Sequence, residues 1–136
     1  MALILNILWL IFGGGFVAGC LWLLGALLCC VSIVFLPWAG AVFRIAIYSF
    51  CPFGQLAVRR GQLFGGGGIA EGPVGVLLNV IWLLVVGLWL AIAHLTAAAA
   101  YAVTIIGLPF AWAHFKLAML ALWPVGTEIV PVDQGR

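Results

Sequence analysis

The chain has 136 residues, of which 68% are hydrophobic and 6% are charged, and its formal net charge is +2. A soluble domain carries about 25% charged residues, and at this size it buries only around two-thirds of the surface of its unfolded chain. So much apolar side chain excludes an ordinary water-soluble globule, and the small, scattered positive charge excludes a nucleic-acid-binding surface. The composition therefore predicts an all-α protein embedded in a lipid bilayer.

The first apolar run covers residues 3–36 and contains no charged residue. Because about 20 residues suffice to cross a bilayer, this run predicts a long transmembrane helix. At about 1.5 Å per residue it is longer than a hydrocarbon core of about 30 Å. We therefore expect tilt, protrusion or a kink, with the glycines at 13–15 as the place for a kink. Pro37 is predicted to end the helix.

A short apolar segment follows at residues 38–51, with Arg44 near its middle and Pro52 at its end. A helix of this length reaches only about 21 Å, which is too little to cross comfortably. We predict a re-entrant, strongly tilted or interfacial half-helix. A full crossing remains the alternative, if the helix borrows residues on either side.

Residues 55–76 are polar and rich in glycine, and they predict a flexible linker. No Gly-Lys-Ser/Thr follows the glycines, so the signature of a phosphate-binding loop is missing. The second apolar run, residues 76–108, predicts a second long transmembrane helix that ends at Pro109. Residues 110–123, closed by Pro124, predict a second half-helix.

The two halves carry the same motifs in the same order. The first pair of motifs is 73 positions apart and the later pairs are 72 apart, so one residue has been lost or gained within the long helix. The matched positions are Asn6 with Asn79, 31–39 with 103–111, 43–46 with 115–118, and 51–54 with 123–126. We predict a tandem repeat with units at 1–56 and 76–128, a polar loop at 57–75 and a polar tail at 129–136.

These motifs resemble those of the YccF family of small bacterial inner-membrane proteins. They are Asn-x-x-Trp, then Ser/Thr-Ile-Val/Ile-x-Leu-Pro-Phe/Trp, then Phe-Arg/Lys-Ile/Leu-Ala followed by Pro-Phe/Val-Gly. The resemblance covers nearly the whole chain and implies a membrane component with two such domains. It implies no catalytic activity. Phe35 departs from the family, because it stands where Gly107 stands in the second half, and the loop is unusually rich in glycine.

The positions of the basic residues favour one topology. If each unit leaves and returns to the same side, the loop and the C-terminus share a compartment, and Arg59, Arg60 and Arg136 all face the cytoplasm. The alternative is one crossing per unit, which gives inverted repeats and sends Arg59 and Arg60 outward. The first arrangement fits the positive-inside rule better.

Arg44 and Lys116 occupy the same position in the two short segments. A charge in the membrane costs from about 2.5 kcal/mol upward unless it faces water, a partner or the headgroups. The pair predicts either a basic lining of an aqueous path, which favours anions, or side chains that reach out to lipid phosphates. An ion pair would require Glu71, Glu128 or Asp133 to approach the membrane.

Three further polar residues lie in the long runs. Asn6 and Asn79 each precede a tryptophan by three positions, and we predict that they cap helices or bond across them. His94, aligned here with Leu21, is a candidate path-lining residue. His114 lies on another segment and offers no metal-ligand spacing. We therefore predict no metal site, no cofactor and no catalytic group.

Gly15 and Gly19 form a G-x-x-x-G motif, which predicts close helix packing within or between chains. Since two long spans enclose no pore by themselves, we expect a homo-oligomer. The sequence thus predicts a homo-oligomeric membrane channel or permeation pathway for ions, with anions slightly favoured. The alternative is a non-conducting structural or accessory subunit that packs with other membrane proteins.

Overall fold

The computed structural model describes residues 1–66 and 68–133, so Gly67 of the predicted linker and Arg136 of the tail lie outside the described residues. The elements of the first half are α1 (Ala2–Phe12), α2 (Gly15–Val31), α3 (Leu36–Phe50), β1 (Gln55–Arg59) and α4 (Arg60–Phe64). Those of the second half are α5 (Pro73–Trp82), a π-helical turn (Leu83–Gly87), α6 (Leu88–Ala102), α7 (Leu108–Leu122) and β2 (Thr127–Pro131). Apart from α4 and the π-helical turn, the elements of the two halves follow the same order.

The first apolar run forms two helices where the sequence predicts one. The axes of α1 and α2 are bent by 79° at the break between them. The break lies among the predicted glycines, and Gly14 has a φ of 74°, a left-handed conformation that glycine adopts most readily. The helix α2 then ends at Val31, before the predicted end of the run.

The second apolar run is continuous. Pro73–Ala102 form a helix of 30 residues that is long and apolar enough to cross a membrane, and the bent α1–α2 pair would be a second span if it is counted as one. An added Cβ at Gly15 would meet the indole of Trp9, and one at Gly87 would meet Trp82. These contacts align the break in the first half with the π-helical turn in the second. The offset between the halves therefore changes from 73 to 72 positions within this stretch, between the tryptophan and the glycine.

Each long run folds back on the short helix that follows it and forms a helical hairpin. The helix α2 packs along α3, and α6 packs along α7, after short turns at 32–35 and 103–107. Pro37 and Pro109 lie in the first turns of α3 and α7, so they begin these helices, a position that suits the fixed φ of proline. Pro52 and Pro124 follow the ends of the same helices.

A two-stranded antiparallel sheet joins the halves and corrects the all-α expectation. The register places Ala57 opposite Ile129, two residues that are 72 positions apart, so the strands meet about a local twofold axis. The strand β1 runs from the predicted first unit into the predicted linker, and β2 runs into the predicted tail. The linker and the tail therefore lie at the same end of the molecule.

The outer surface is apolar, as the composition predicts. At the two hairpin turns, Ile33 is 91% exposed and Ile105 is 88% exposed, and large aliphatic side chains also cover the outer faces of the helices. The buried core lies between the halves and is rich in tryptophan and alanine. Such a surface is stable in hydrocarbon and unstable in water.

Candidate functional sites between the two halves

Asn6 and Asn79 hold the turns that follow the short helices. The side-chain amide of Asn79 donates to the Val125 carbonyl (3.0 Å), and its oxygen accepts from the Val125 N–H (2.9 Å). Asn6 makes the same two bonds with Phe53, at 2.9 and 3.0 Å. Both asparagines lie inside helices, so they bond to a turn and not to a helix N-terminus.

The tryptophan of each Asn-x-x-Trp motif adds a hydrogen bond to the end of the same short helix. Trp9 donates its indole N–H to the Ser49 carbonyl (2.7 Å), and Trp82 donates to the Ala121 carbonyl (2.8 Å). Residues three apart share a helix face, so each Asn-x-x-Trp motif fixes both the end of a short helix and the turn after it. The motif therefore orients the short helix in each half.

His94 and His114 meet between the halves, although they lie on different segments of the sequence. Their Nδ1 atoms are 3.1 Å apart. Trp22 Nε1 donates to His94 Nε2 (3.0 Å), and His114 Nε2 is 3.1 Å from the Gly13 carbonyl oxygen. An indole N–H can only donate and a carbonyl can only accept, so the direction of every bond is fixed. His94 carries its proton on Nδ1 and His114 carries its proton on Nε2.

This chain of bonds stabilises the helix break. The last carbonyls of a helix have no partner within it. At the end of α1, the Phe12 carbonyl accepts from the Tyr101 hydroxyl (2.8 Å) and the Gly13 carbonyl accepts from His114. The buried faces of α2 and α6 also show that His94 corresponds to Trp22, 72 positions earlier, and not to Leu21. Sequence reasoning missed the pair because nothing local connects the two histidines.

Nitrogen-15 NMR of the imidazoles checks this arrangement. In the purified protein at neutral pH, we expect His94 as the Nδ1–H tautomer and His114 as the Nε2–H tautomer, because the fixed donor and acceptor at the ends permit no other pattern. In Trp22→Phe, which removes the donor, His94 Nε2 should lose its hydrogen bond, while both tautomers should stay because the Gly13 carbonyl still fixes the chain of bonds from its other end. The opposite tautomers in the unchanged protein would contradict the proposed bonds.

A cavity of about 950 Å³ runs along α2 and α6, and apolar side chains form most of its wall. Its polar part includes His94, His114, Tyr101 and Ser32. The predicted G-x-x-x-G surface lies beside it and is used within the chain, since Gly15 contacts Trp9 and Gly19 contacts the ring of Phe50. These two glycines therefore do not form a free surface for another copy.

Arg44 and Lys116 have different surroundings despite their matching positions. Arg44 Nε lies 3.7 Å from one carboxylate oxygen of Glu128, whose other oxygen lies 3.4 Å from Arg60 Nη1. Among the residues that the structure describes, no carboxylate lies within ion-pair distance of Lys116. The residue 72 positions before Glu128 is Leu56, which cannot form such a pair.

Lys116 is half-buried and rests on the first half. Its ammonium group donates to the Pro52 carbonyl (3.3 Å) and lies 5.6 Å from the ring centre of Tyr48 and 5.8 Å from that of Phe53. These contacts with a carbonyl dipole and two aromatic faces are favourable for a cation, but none of them brings a negative charge to it. Lys116 thus remains available to an anion.

A second cavity, of about 580 Å³, lies beside Lys116 between α7 and β1. Its polar wall combines Lys116 with Arg59, Gln62 and Thr127. No carboxylate is found among its lining residues in the part of the chain that the structure describes. Arg44 is not part of this lining, so the two cations do not share one cavity within the chain.

An apolar helical exterior, with its polar groups bonded inside the molecule, both within and between the halves, defines a small α-helical membrane protein. The family model of the YccF inner membrane component domain matches residues 4–55 and again residues 77–127. The chain is also 37% identical to the inner membrane protein YccF of Escherichia coli strain K12 and to that of Shigella flexneri. Each match covers 100% of this chain and 92% of the relative. The chain therefore belongs to the YccF family of bacterial inner-membrane proteins. No solved structure matches it significantly.

Proposed function

We propose that the protein is a homo-oligomeric membrane pathway for ions that favours anions, and that Lys116 is the residue that attracts them. One observation carries this proposal. Arg44 lies 3.7 Å from Glu128, a carboxylate that it shares with Arg60, whereas Lys116, at the matching position, has a hydrophobic residue in place of the acid. A half-buried cation without a counter-ion is costly in a membrane and usually marks a function. Lys116 is therefore the better candidate of the two.

The proposed topology places the sheet in the cytoplasm and sends each half into the membrane and back. Pairing of β1 with β2 supports this arrangement, because the segments after both hairpins meet at one end of the molecule. Arg59 and Arg60 lie at that end, where the positive-inside rule favours them. The first half then crosses with a broken helix, and the second crosses with Pro73–Ala102.

In the proposed oligomer, the outer face of α7 lines the path. Trp112, Phe115, Lys116 and Met119 follow the spacing of one helix face, and the three uncharged side chains are exposed in the single chain. Rotational symmetry would bring one Lys116 from each copy around a common axis. A ring of ammonium groups favours anions over cations.

Ion flux through proteoliposomes of zwitterionic lipid tests the proposal. We expect the unchanged protein to pass chloride in preference to potassium, as read from the reversal potential. Lys116→Gln should lower this preference about fivefold, which corresponds to about 1 kcal/mol of lost attraction. Lys116→Arg should retain it.

Arg44→Gln is the matched control, because it removes a charge of the same sign that is already paired. This variant should lose some stability and keep the chloride preference. Folded oligomers that pass no ions would favour the accessory-subunit alternative, in which a partner membrane protein co-purifies in fixed ratio. Equal selectivity of Lys116→Gln and the unchanged protein would remove Lys116 from the path.

A further inference from the structure

We infer that the cavity between α7 and β1 binds the phosphate group of an anionic phospholipid. This inference rests on the proposed function in treating Lys116 as an anion site, and it names an anion that competes there with permeant ions, because a bound phospholipid would cover the face of α7 that lines the proposed path. Basic pockets between membrane helices on the cytoplasmic side commonly bind lipid headgroups. Three features of this cavity support a lipid phosphate, and the second of them favours it over a small inorganic anion.

The first feature is the set of free donors. The Nη1 atom of Arg59 bonds to the Thr127 hydroxyl at 2.9 Å and, more weakly, to the Val125 carbonyl at 3.4 Å. Because a guanidinium has five N–H groups, these bonds hold Arg59 in place and leave other donors for a ligand. Lys116 adds an ammonium group and Gln62 an amide to the same cavity. Phosphate oxygens accept from such donors in charge-assisted bonds.

The second feature is the apolar wall on the opposite side. Trp112 is 59% exposed and Met119 is 56% exposed, and Trp112 stacks on Phe115 with ring centres 5.5 Å apart. All three line the cavity together with Lys116. A small anion gains nothing from this wall, whereas acyl chains can cover it. Tryptophan at such a boundary is also typical of the membrane interface.

The third feature is the contrast with the first half. There the corresponding cation, Arg44, already has a carboxylate in Glu128. Leu56 lines the second cavity at the position that corresponds to Glu128. Since no acid among the described residues lines this cavity, an external anion would balance the charge of Lys116.

Native mass spectrometry of the detergent-solubilised full chain tests the inference. The probes are phosphatidylglycerol, phosphatidylcholine with the same acyl chains, and glycerol 3-phosphate. We expect the unchanged protein to retain phosphatidylglycerol over phosphatidylcholine by about fivefold or more, since each basic residue near the surface contributes about that factor. Glycerol 3-phosphate should compete poorly because it lacks acyl chains.

Two variants remove the site in different ways. Lys116→Gln deletes the cation, and Leu56→Glu adds the missing carboxylate so that Lys116 is neutralised from within. Both should lower the lipid preference about fivefold, because Arg59 remains in the cavity, while Arg44→Gln and Lys116→Arg should keep it. Circular dichroism of each variant establishes that its helices are intact, so a fold defect in one variant leaves the other decisive.

Equal retention of the two lipids by the unchanged protein would overturn the inference, as would an undiminished preference in both Lys116→Gln and Leu56→Glu. Strong competition by glycerol 3-phosphate would show that the site binds a soluble phosphate, and it would overturn the inference that the phosphate belongs to a lipid. Flux in zwitterionic liposomes is measured separately. Flux without lipid preference defeats this inference alone, and lipid preference without flux defeats the proposed function alone.

Discussion

Asn79→Ala is expected to lower the free energy of unfolding by about 2 to 6 kcal/mol, because it leaves two buried backbone groups without a partner at about 1 to 3 kcal/mol each. Asn79 is 0% exposed, and its side chain satisfies both the N–H and the carbonyl of Val125. Alanine restores neither bond, and water does not reach the site. Unfolding in mixed micelles with increasing dodecyl sulfate, followed by circular dichroism, measures the change.

Asn6→Ala is the matched control for this prediction. Asn6 makes the corresponding bonds to Phe53, but these are only partly buried, so solvent or headgroups can replace them. Asn6→Ala should therefore lower the free energy of unfolding by clearly less than Asn79→Ala does. If both variants lowered the free energy of unfolding equally, burial of the turn would not determine the energy of these hydrogen bonds.

Gly15→Ala is expected to be the second most damaging of the substitutions considered. The new methyl group would overlap the indole of Trp9, which is fully buried and donates to Ser49. Overpacking of this kind costs about 1 to 3 kcal/mol, and loss of the indole bond adds about 1 kcal/mol. Thermal unfolding in detergent should therefore show a large decrease in midpoint.

Gly40→Ala provides the comparison. Gly40 lies inside α3, and an added Cβ there would have no atom within 4 Å. Alanine stabilises a helix interior by up to about 1 kcal/mol relative to glycine, so this variant should be neutral or slightly more stable. If both glycine variants behaved alike, the proposed contact between Gly15 and Trp9 would be refuted.

The sequence predicted the membrane class, the family and the place of the break. Composition alone indicates a bilayer, and the glycines at 13–15 mark the break. The 79° bend could not be predicted, because the groups that satisfy the freed carbonyls, Tyr101 and His114, come from the other half of the chain. Local patterns carry no information about such distant partners.

The sheet and the different surroundings of the two cations could not be predicted for the same physical reason. Each strand has five residues, too few for a clear alternating pattern, and its partner lies in the other half. Matching positions suggested that Arg44 and Lys116 act alike. Their difference depends on Glu128, which approaches Arg44 once the strands have paired. A non-local contact thus decides which cation stays free.

The twofold register of the strands also bears on how a chain of this kind could arise. Because Ala57 and Ile129 are equivalent positions that face each other, the edge of one strand is complementary to its own counterpart. A single ancestral unit would have met the same edge on a second molecule, so the sheet would have closed a dimer before gene fusion linked its subunits. If the chain were cut within residues 65–68, one fragment would still contain β1 and the other would contain β2.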